Sequence, residues 1–361
     1  MIILLRMNSE FTSRLERIEA VLSQALPATA TEAWKAASFA TLDEHVRAEH
    51  LVPLLAPCTR LIALGGKRWR PLLLVLCAEL AAHAKRSPQQ AIENAYSLTP
   101  LVEFAHTASL IHDDIEDGAD MRRGEPSAHL VFGMDVAINA ASWLYFEAAA
   151  CIDALPLGVT ERNTLYSLYL LELRRLHLGQ AMDILWHRTP SLLPTQAEYT
   201  AMVRNKTGTL SRLAVKLGIL AGGGTSEEAE RAGALAEDIG VGFQILDDVT
   251  NLTTGNPGKQ RGDDIVEGKK SLPVLLHLEQ NAGDREKLAA LFATAQRDGI
   301  TSPAVEEAIA LLSSSGAVEA ARQRGQALVA EKSRALSTLY GDGGEAAERI
   351  VALFSAMQRT A

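Results

Sequence analysis

Apolar residues recur at helical spacing along nearly the whole chain. The recurrence stops at four short stretches, DGADMRRGEPSA (117–128), HRTPSLLPT (187–195), AGGGTS (221–226) and TTGNPGKQRG (253–262). A sustained period of 3.6 admits helices packed on helices and disfavours strands, whose period is 2. Composition agrees: 47% of residues are hydrophobic but only 5% aromatic, with Ala and Leu prominent and few alternating β-branched runs. The expected fold class is all-α. A length of 361 residues suits either two ordinary domains or one large helical one. The four breaks are too short for interdomain linkers, which favours one domain over residues 31–361 with an N-terminal extension and helix over 1–30.

The formal net charge of −9 disfavours a nucleic-acid binder, which needs a basic face. Cys58, Cys77 and Cys151 are widely spaced and form no CxxC, so neither a zinc site nor a disulfide framework is expected, and a reducing cytoplasm fits. The apolar start MIILLR is too short for a signal peptide, and the run Leu72 to Cys77 is soon broken by Glu79, so no membrane span is expected. Met7 is an alternative start.

Two acidic clusters stand out, HDDIED at 112–117 and ILDDVTN at 245–251. Asp113, Asp114 and Asp117 occupy i, i+1 and i+4, which at about 100° per residue confines them to roughly one quadrant of a helix. Asp247 and Asp248 repeat the pattern, but their i+4 position is the uncharged Asn251. Both clusters fall near the C-terminal ends of apolar helical stretches, the first closing at Gly118 and the second running toward Thr253. A helix C-terminus is already partly negative, so cations are needed there. Hard divalent cations such as Mg²⁺ take one or two carboxylates plus substrate phosphates. A solvated acidic helix end is the plain alternative for either cluster alone, but both are trailed by basic loops.

The basic segments are GGKRWRP (65–71), Arg122 and Arg123 in MRRG, Lys206 in RNKTG, and Lys259 with Lys269 in GKQRGDDIVEGKKSLP. Together they supply enough cationic groups for two diphosphates. GGKRWRP lets the backbone approach an anion but lacks the Walker pattern, which excludes a nucleotide hydrolase of that type.

These motifs, in this order, resemble the trans-isoprenyl diphosphate synthase (polyprenyl synthetase) family. GGKRWRP matches its GGKxxRP, LIHDDIEDGADMRRG its first aspartate-rich motif, and FQILDDVTN its second. INAASWLYF (138–146), GQAMDILW (179–186) and EYTAMVRNKTG (198–208) are similar to geranylgeranyl diphosphate synthases of the eukaryotic type. The resemblance implies an isoprenoid synthase-type helical bundle around a deep cavity, condensing isopentenyl diphosphate with an allylic prenyl diphosphate. It implies that Lys67, Arg70, His106 and Arg123 hold the diphosphate of isopentenyl diphosphate. Arg122, Lys206, Thr207, Gln244, Lys259 and Lys269 would hold the allylic diphosphate. Asp113, Asp117 and Asp247 would be the main Mg²⁺ ligands, supported by Asp114 and Asp248, with about three ions when substrate is bound. A homodimer is implied as well.

Family members that stop at farnesyl diphosphate commonly carry a bulky aromatic four or five residues before the first motif. Here those positions are Ser109 and Ala108, with Ala105 a further turn down, so a tunnel long enough for geranylgeranyl diphosphate or a longer chain is expected. Trp143 and Phe146 are candidates for its floor, and ordinary core aromatics otherwise. The competing readings are a class I terpene cyclase, which needs no second diphosphate site, and a non-catalytic synthase subunit.

Overall fold

The computed structural model describes residues 2–189, 192–255 and 260–358. Helices follow in the order α1 Ile2–Ala25, α2 Glu32–Phe39, α3 Val52–Ala63, α4 Trp69–Lys85, α5 Gln89–Ser97 and α6 Thr99–Glu116. After a hairpin of β1 Met121–Arg122 and β2 Glu125–Pro126 come α7 Ala128–Phe132, α8 Met134–Glu147, α9 Ala150–Asp153 and α10 Val159–Arg188. The chain continues with α11 Gln196–Val203, α12 Thr209–Ala221, α13 Ser226–Thr253, α14 Asp263–Val266 and α15 Leu272–Gln280. It ends with α16 Arg285–Asp298, α17 Pro303–Ser314, α18 Ala317–Ser337 and α19 Gly344–Gln358. The all-α expectation holds, and among the described residues the two-residue strands are the only sheet.

The chain forms two compact units. One comprises Met1–Leu173, Arg212–Gly233 and Ser337–Leu353; the other comprises Arg174–Ser211, Ala234–Leu336 and Phe354–Ala361. In the first unit α4 is buried almost along its length, because its apolar residues leave no polar stripe. Gly218 of α12 and Gly222 just past its end let that helix lie directly on α4: a Cβ there would stand 2.3 Å from the Leu74 carbonyl and 2.5 Å from that of Ala78. On α1, Phe11, Leu15, Ile18 and Leu22 are buried, so the N-terminal helix belongs to this core. Helix α6 packs on α8, α4 and α1. In the second unit Val241, Ile245 and Val249 of α13 join Tyr199 and Val203 of α11, Leu272 and Leu275 of α15, and α16 to α18 in one apolar cluster.

The three small positions before the first aspartate cluster differ in burial. Ala105 and Ala108 are fully buried, and Ser109 turns its hydroxyl back to the His106 carbonyl at 2.8 Å. Trp143 stacks on Phe39 with centroids 6.2 Å apart and meets Trp34 edge-on, so α2 covers it. The expectation for Phe146 is corrected. Its side chain is 75% exposed, sharing α8 with exposed Met134 and Ile138, and it cannot floor a tunnel within this chain.

Candidate active site

Helix α6 stops because Gly118 takes φ +64°, which lets the Ala119 N–H reach the Asp114 carbonyl at 2.8 Å and the Gly118 N–H reach that of Ile115. This closure leaves Asp113 and Asp117 half-buried, one turn apart at a helix C-terminus. Asp114 is buried between them, and its Oδ1 accepts from Arg122 Nε at 2.7 Å and also from Nη2. Arg122 Nη2 lies 3.7 Å from Asp113 Oδ2. Asp114 therefore orients Arg122 while Asp113 and Asp117 present oxygen.

Arg122 and Arg123 diverge because a two-residue turn separates β1 from β2. Met121 pairs with Pro126 and Arg122 with Glu125, and the central residues Arg123 and Gly124 both have positive φ, 55° and 82°. That is the mirror-image turn that suits strand twist, adopted here by a non-glycine residue at some steric cost. Arg123 Nη1 donates to the Leu61 carbonyl at 2.9 Å, and its guanidinium covers Gly66, where a Cβ would stand only 3.0 Å away.

The GGKRWRP segment meets Arg123 from the other side. Arg68, passed over in the sequence reading, is a buried strut with left-handed backbone: it donates to Glu103 and Glu19 at 2.7 Å each and to the Ile62 carbonyl at 2.6 Å. Both carboxylates are thus taken by Arg68. Arg70 is left with His106, Nη1 to Nε2 at 3.3 Å, and its Nε is buried without a hydrogen-bond partner. Burial pushes the Arg70 guanidinium down to about 10, with Glu103 opposing and Arg123 reinforcing. Burial, then Arg70 and Arg123, hold His106 well below the usual histidine range, so its ring is neutral at pH 7. Lys67 stands exposed at the start of this loop.

In the second unit the residues around Lys206 form a π-turn, Arg204–Gly208, whose extra residue pushes the backbone out of helical register. Two glycines permit it. A Cβ on Gly179 would lie 2.2 Å from the Lys206 backbone nitrogen, and one on Gly240 would lie 2.7 Å from Gly208 Cα. Lys206 Nζ reaches Asp183 Oδ2 at 2.6 Å, while His187 Nε2 lies 2.9 Å from Oδ1. Burial would raise the Asp183 carboxyl, but Lys206 and His187 pull it far below the usual carboxylate range. Thr207 donates to Gln244 Oε1 at 2.8 Å, and Gln244 Nε2 donates to Asp248 Oδ1 at 3.0 Å.

Asp247 and Asp248 part company. Asp247 is exposed; Asp248 is buried, and its Oδ2 accepts from Tyr199 Oη at 2.6 Å and from the Leu272 N–H at 3.3 Å. Burial, then Asp264, push the Asp248 carboxyl up to about 7. It ties α11, α13 and α15 together rather than facing outward. Lys269 Nζ meets Glu267 at 2.6 Å and Asp264 at 3.5 Å. Lys259 lies outside the described residues. Sequence reasoning assigned no role to Gly179, Asp183, His187 or Tyr199. The Gly-to-Asp step of one helical turn inside GQAMD was the available signal.

Among the described residues no three His, Cys, Asp or Glu side chains converge closely enough to hold a metal by themselves. The donors still fit a hard cation. Asp113 and Asp117 offer one carboxylate each from adjacent turns, the number Mg²⁺ commonly takes from protein when phosphate oxygens and water complete its shell.

An all-α chain with acidic helix ends and half-buried arginines beside them points to the class of enzymes that handle diphosphates. The chain belongs to the polyprenyl synthetase family, whose model matches residues 52–311. It is 33% identical over 315 residues to a geranylgeranyl pyrophosphate synthase of Macrophomina phaseolina, covering 86% of this chain and 91% of that one. It is 40% identical over 186 residues to geranylgeranyl pyrophosphate synthase 2 of Zymoseptoria tritici, a match that spans 51% of this chain and 54% of that relative's length. Among solved structures, the polyprenyl synthase of Caulobacter crescentus complexed with calcium and isoprenyl diphosphate is similar, with TM-score 0.77, 25% identity, and coverage of 99% and 98% of the two chains.

Proposed function

We propose that the chain is a trans-prenyltransferase that condenses isopentenyl diphosphate with an allylic prenyl diphosphate, giving geranylgeranyl diphosphate. One observation carries this reading beyond ionisation of a single diphosphate. Helix α6 bears both Asp113 and His106, seven residues or about 10 Å apart, and each end is surrounded by its own arginine. Around His106 positive charge exceeds negative, since Arg68 uses Glu19 and Glu103 while Arg70 and Arg123 remain for an anion. A cyclase has no use for that second site.

Lys67, Arg70 and Arg123 hold the diphosphate of isopentenyl diphosphate, with neutral His106 accepting from Arg70 and so orienting it. Arg122, Lys206, Thr207, Gln244 and Lys269 hold the allylic diphosphate, as would Lys259. Asp113, Asp117 and Asp247 would hold Mg²⁺, and Asp114 and Asp248 fix their surroundings through Arg122 and through Tyr199 and Gln244. Mg²⁺, when bound, neutralises charge on the departing diphosphate oxygens. The allylic C–O bond breaks, the double bond of isopentenyl diphosphate attacks the resulting carbon, and a proton leaves to restore an allylic product. The cationic side chains stabilise the leaving group, and the departing diphosphate accepts the proton. Apolar packing around Ala105 and Ala108 keeps water from the cation.

Support for geranylgeranyl as product comes from those two small positions and from the fungal relatives. Support for a homodimer comes from exposed apolar side chains: Met134, Ile138 and Phe146 on α8, and Leu171, Leu178 and Leu185 repeating every seven residues on α10. No described helix is long and apolar enough to cross a membrane, and the three free cysteines fit a cytoplasmic setting. Incubating the purified chain with Mg²⁺, isopentenyl diphosphate and labelled farnesyl diphosphate tests the reading. A labelled C20 alcohol after phosphatase treatment is expected; no elongation, or a cyclised hydrocarbon, refutes it.

A further inference from the structure

Asn251 stands where the first aspartate motif has its third carboxylate, yet it is only 1% exposed and its oxygen is already in use. Oδ1 accepts from the Asp264 N–H at 3.2 Å, and the Asn251 carbonyl accepts from the Gly262 N–H at 2.9 Å. These two bonds fasten the beginning of α14 to α13. The other end of that short helix closes as α6 does: Gly268 takes φ +78°, and the Lys269 N–H reaches the Asp264 carbonyl at 2.8 Å. Asp264 thus links Asn251 to Lys269 through its own peptide groups, and its carboxylate lies 3.5 Å from Lys269 Nζ.

We propose that Asn251 is a positioning residue that fastens the turn carrying Lys269, and that it is not a ligand of the metal. The inference rests on the assignment of Lys269 to the allylic diphosphate. The choice of amide over carboxylate follows from the surroundings. Asn251 Nδ2 is buried without a hydrogen-bond partner, and a carboxylate would place a charged oxygen in that position. Buried Asp248 lies one turn earlier on α13, and the peptide N–H of buried Asp264 bonds the amide oxygen, so a carboxylate here would add like charge to a stretch that already holds two.

The test uses the full chain with N251A and N251D. Without metal or substrate, N251A should accelerate amide exchange in peptides covering residues 260–270 by about tenfold, through loss of the Asp264 acceptor. In turnover, N251A should raise KM for the allylic diphosphate by about tenfold and lower kcat less, as for a displaced binding group. N251D should leave the Mg²⁺ concentration for half-maximal elongation unchanged within about twofold. Wild-type exchange in N251A overturns the proposal, as does a drop of about tenfold in the Mg²⁺ requirement of N251D. If N251A does not fold, the N251D metal titration still decides. If the wild-type chain elongates nothing, the assigned activity fails while the exchange measurement still decides the role of Asn251.

Discussion

Replacing Gly179 by alanine should disable the enzyme without touching any charged group. The added Cβ would stand 2.2 Å from the Lys206 nitrogen, 2.6 Å from the Asn205 carbonyl carbon and 2.7 Å from Lys206 Cα. All three are backbone atoms, so no side chain can swing aside. Ordinary contact begins at 3.4 Å, so α10 and the π-turn must separate by about 1.2 Å. Overpacking of this kind costs about 1–3 kcal/mol of stability. A misplacement of about 1 Å in a substrate-holding group costs on the order of 10²-fold in rate. Lys206, held 2.6 Å from Asp183 on the same helix as Gly179, would lose that bond or drag the turn with it. Steady-state elongation of farnesyl diphosphate by G179A should therefore show kcat/KM reduced about 100-fold, with the exposed control A181S unchanged. G179A with kcat/KM within about threefold of wild type would refute the argument that this glycine sets the position of Lys206.

Further perturbations follow from the same geometry. D183N removes the charge that Lys206 and His187 share, and chemical denaturation should show a loss of about 3 kcal/mol, as for half of a buried ion pair. A108Y places an aromatic at a fully buried position before the first aspartate motif, and chromatography should show the product shortened to C15; an unchanged C20 product would remove α6 as the determinant. Glu147 accepts a hydrogen bond from Ser38, and burial pushes its carboxyl from 4.5 up to about 7. The folded state then binds the extra proton, so stability falls as pH rises from the unfolded value to about 7, by on the order of 3 kcal/mol, and E147Q should abolish that slope in denaturant midpoints. F146E charges an exposed position on α8, and sedimentation should show the proposed dimer dissociating to monomer.

Legibility in the sequence tracked how local each cause was. Helical periodicity and the placing of Asp113, Asp117 and Asp247 at helix ends needed only neighbours within a few residues, and both were readable. Gly118 and Gly268 were visible as glycines, although only hydrogen bonds identify the turns they close. The Lys206 clamp was hidden because Gly179 and Asp183 act on a segment more than twenty residues away, and nothing in GQAMD names its partner. Phe146 misled because an aromatic in an apolar run reads as core whether or not its own chain covers it. The two compact units left no linker to find, since each is assembled from three separate stretches of chain.

The hairpin at 121–126 carries a constraint on length rather than on identity. Neighbouring residues across its corner leave in different directions, one guanidinium going to Asp114 and the next to Leu61. Inserting or deleting a single amino acid there would carry at least one arginine away from its destination, so homologous chains should tolerate substitutions along its outer edge but no change in the number of residues.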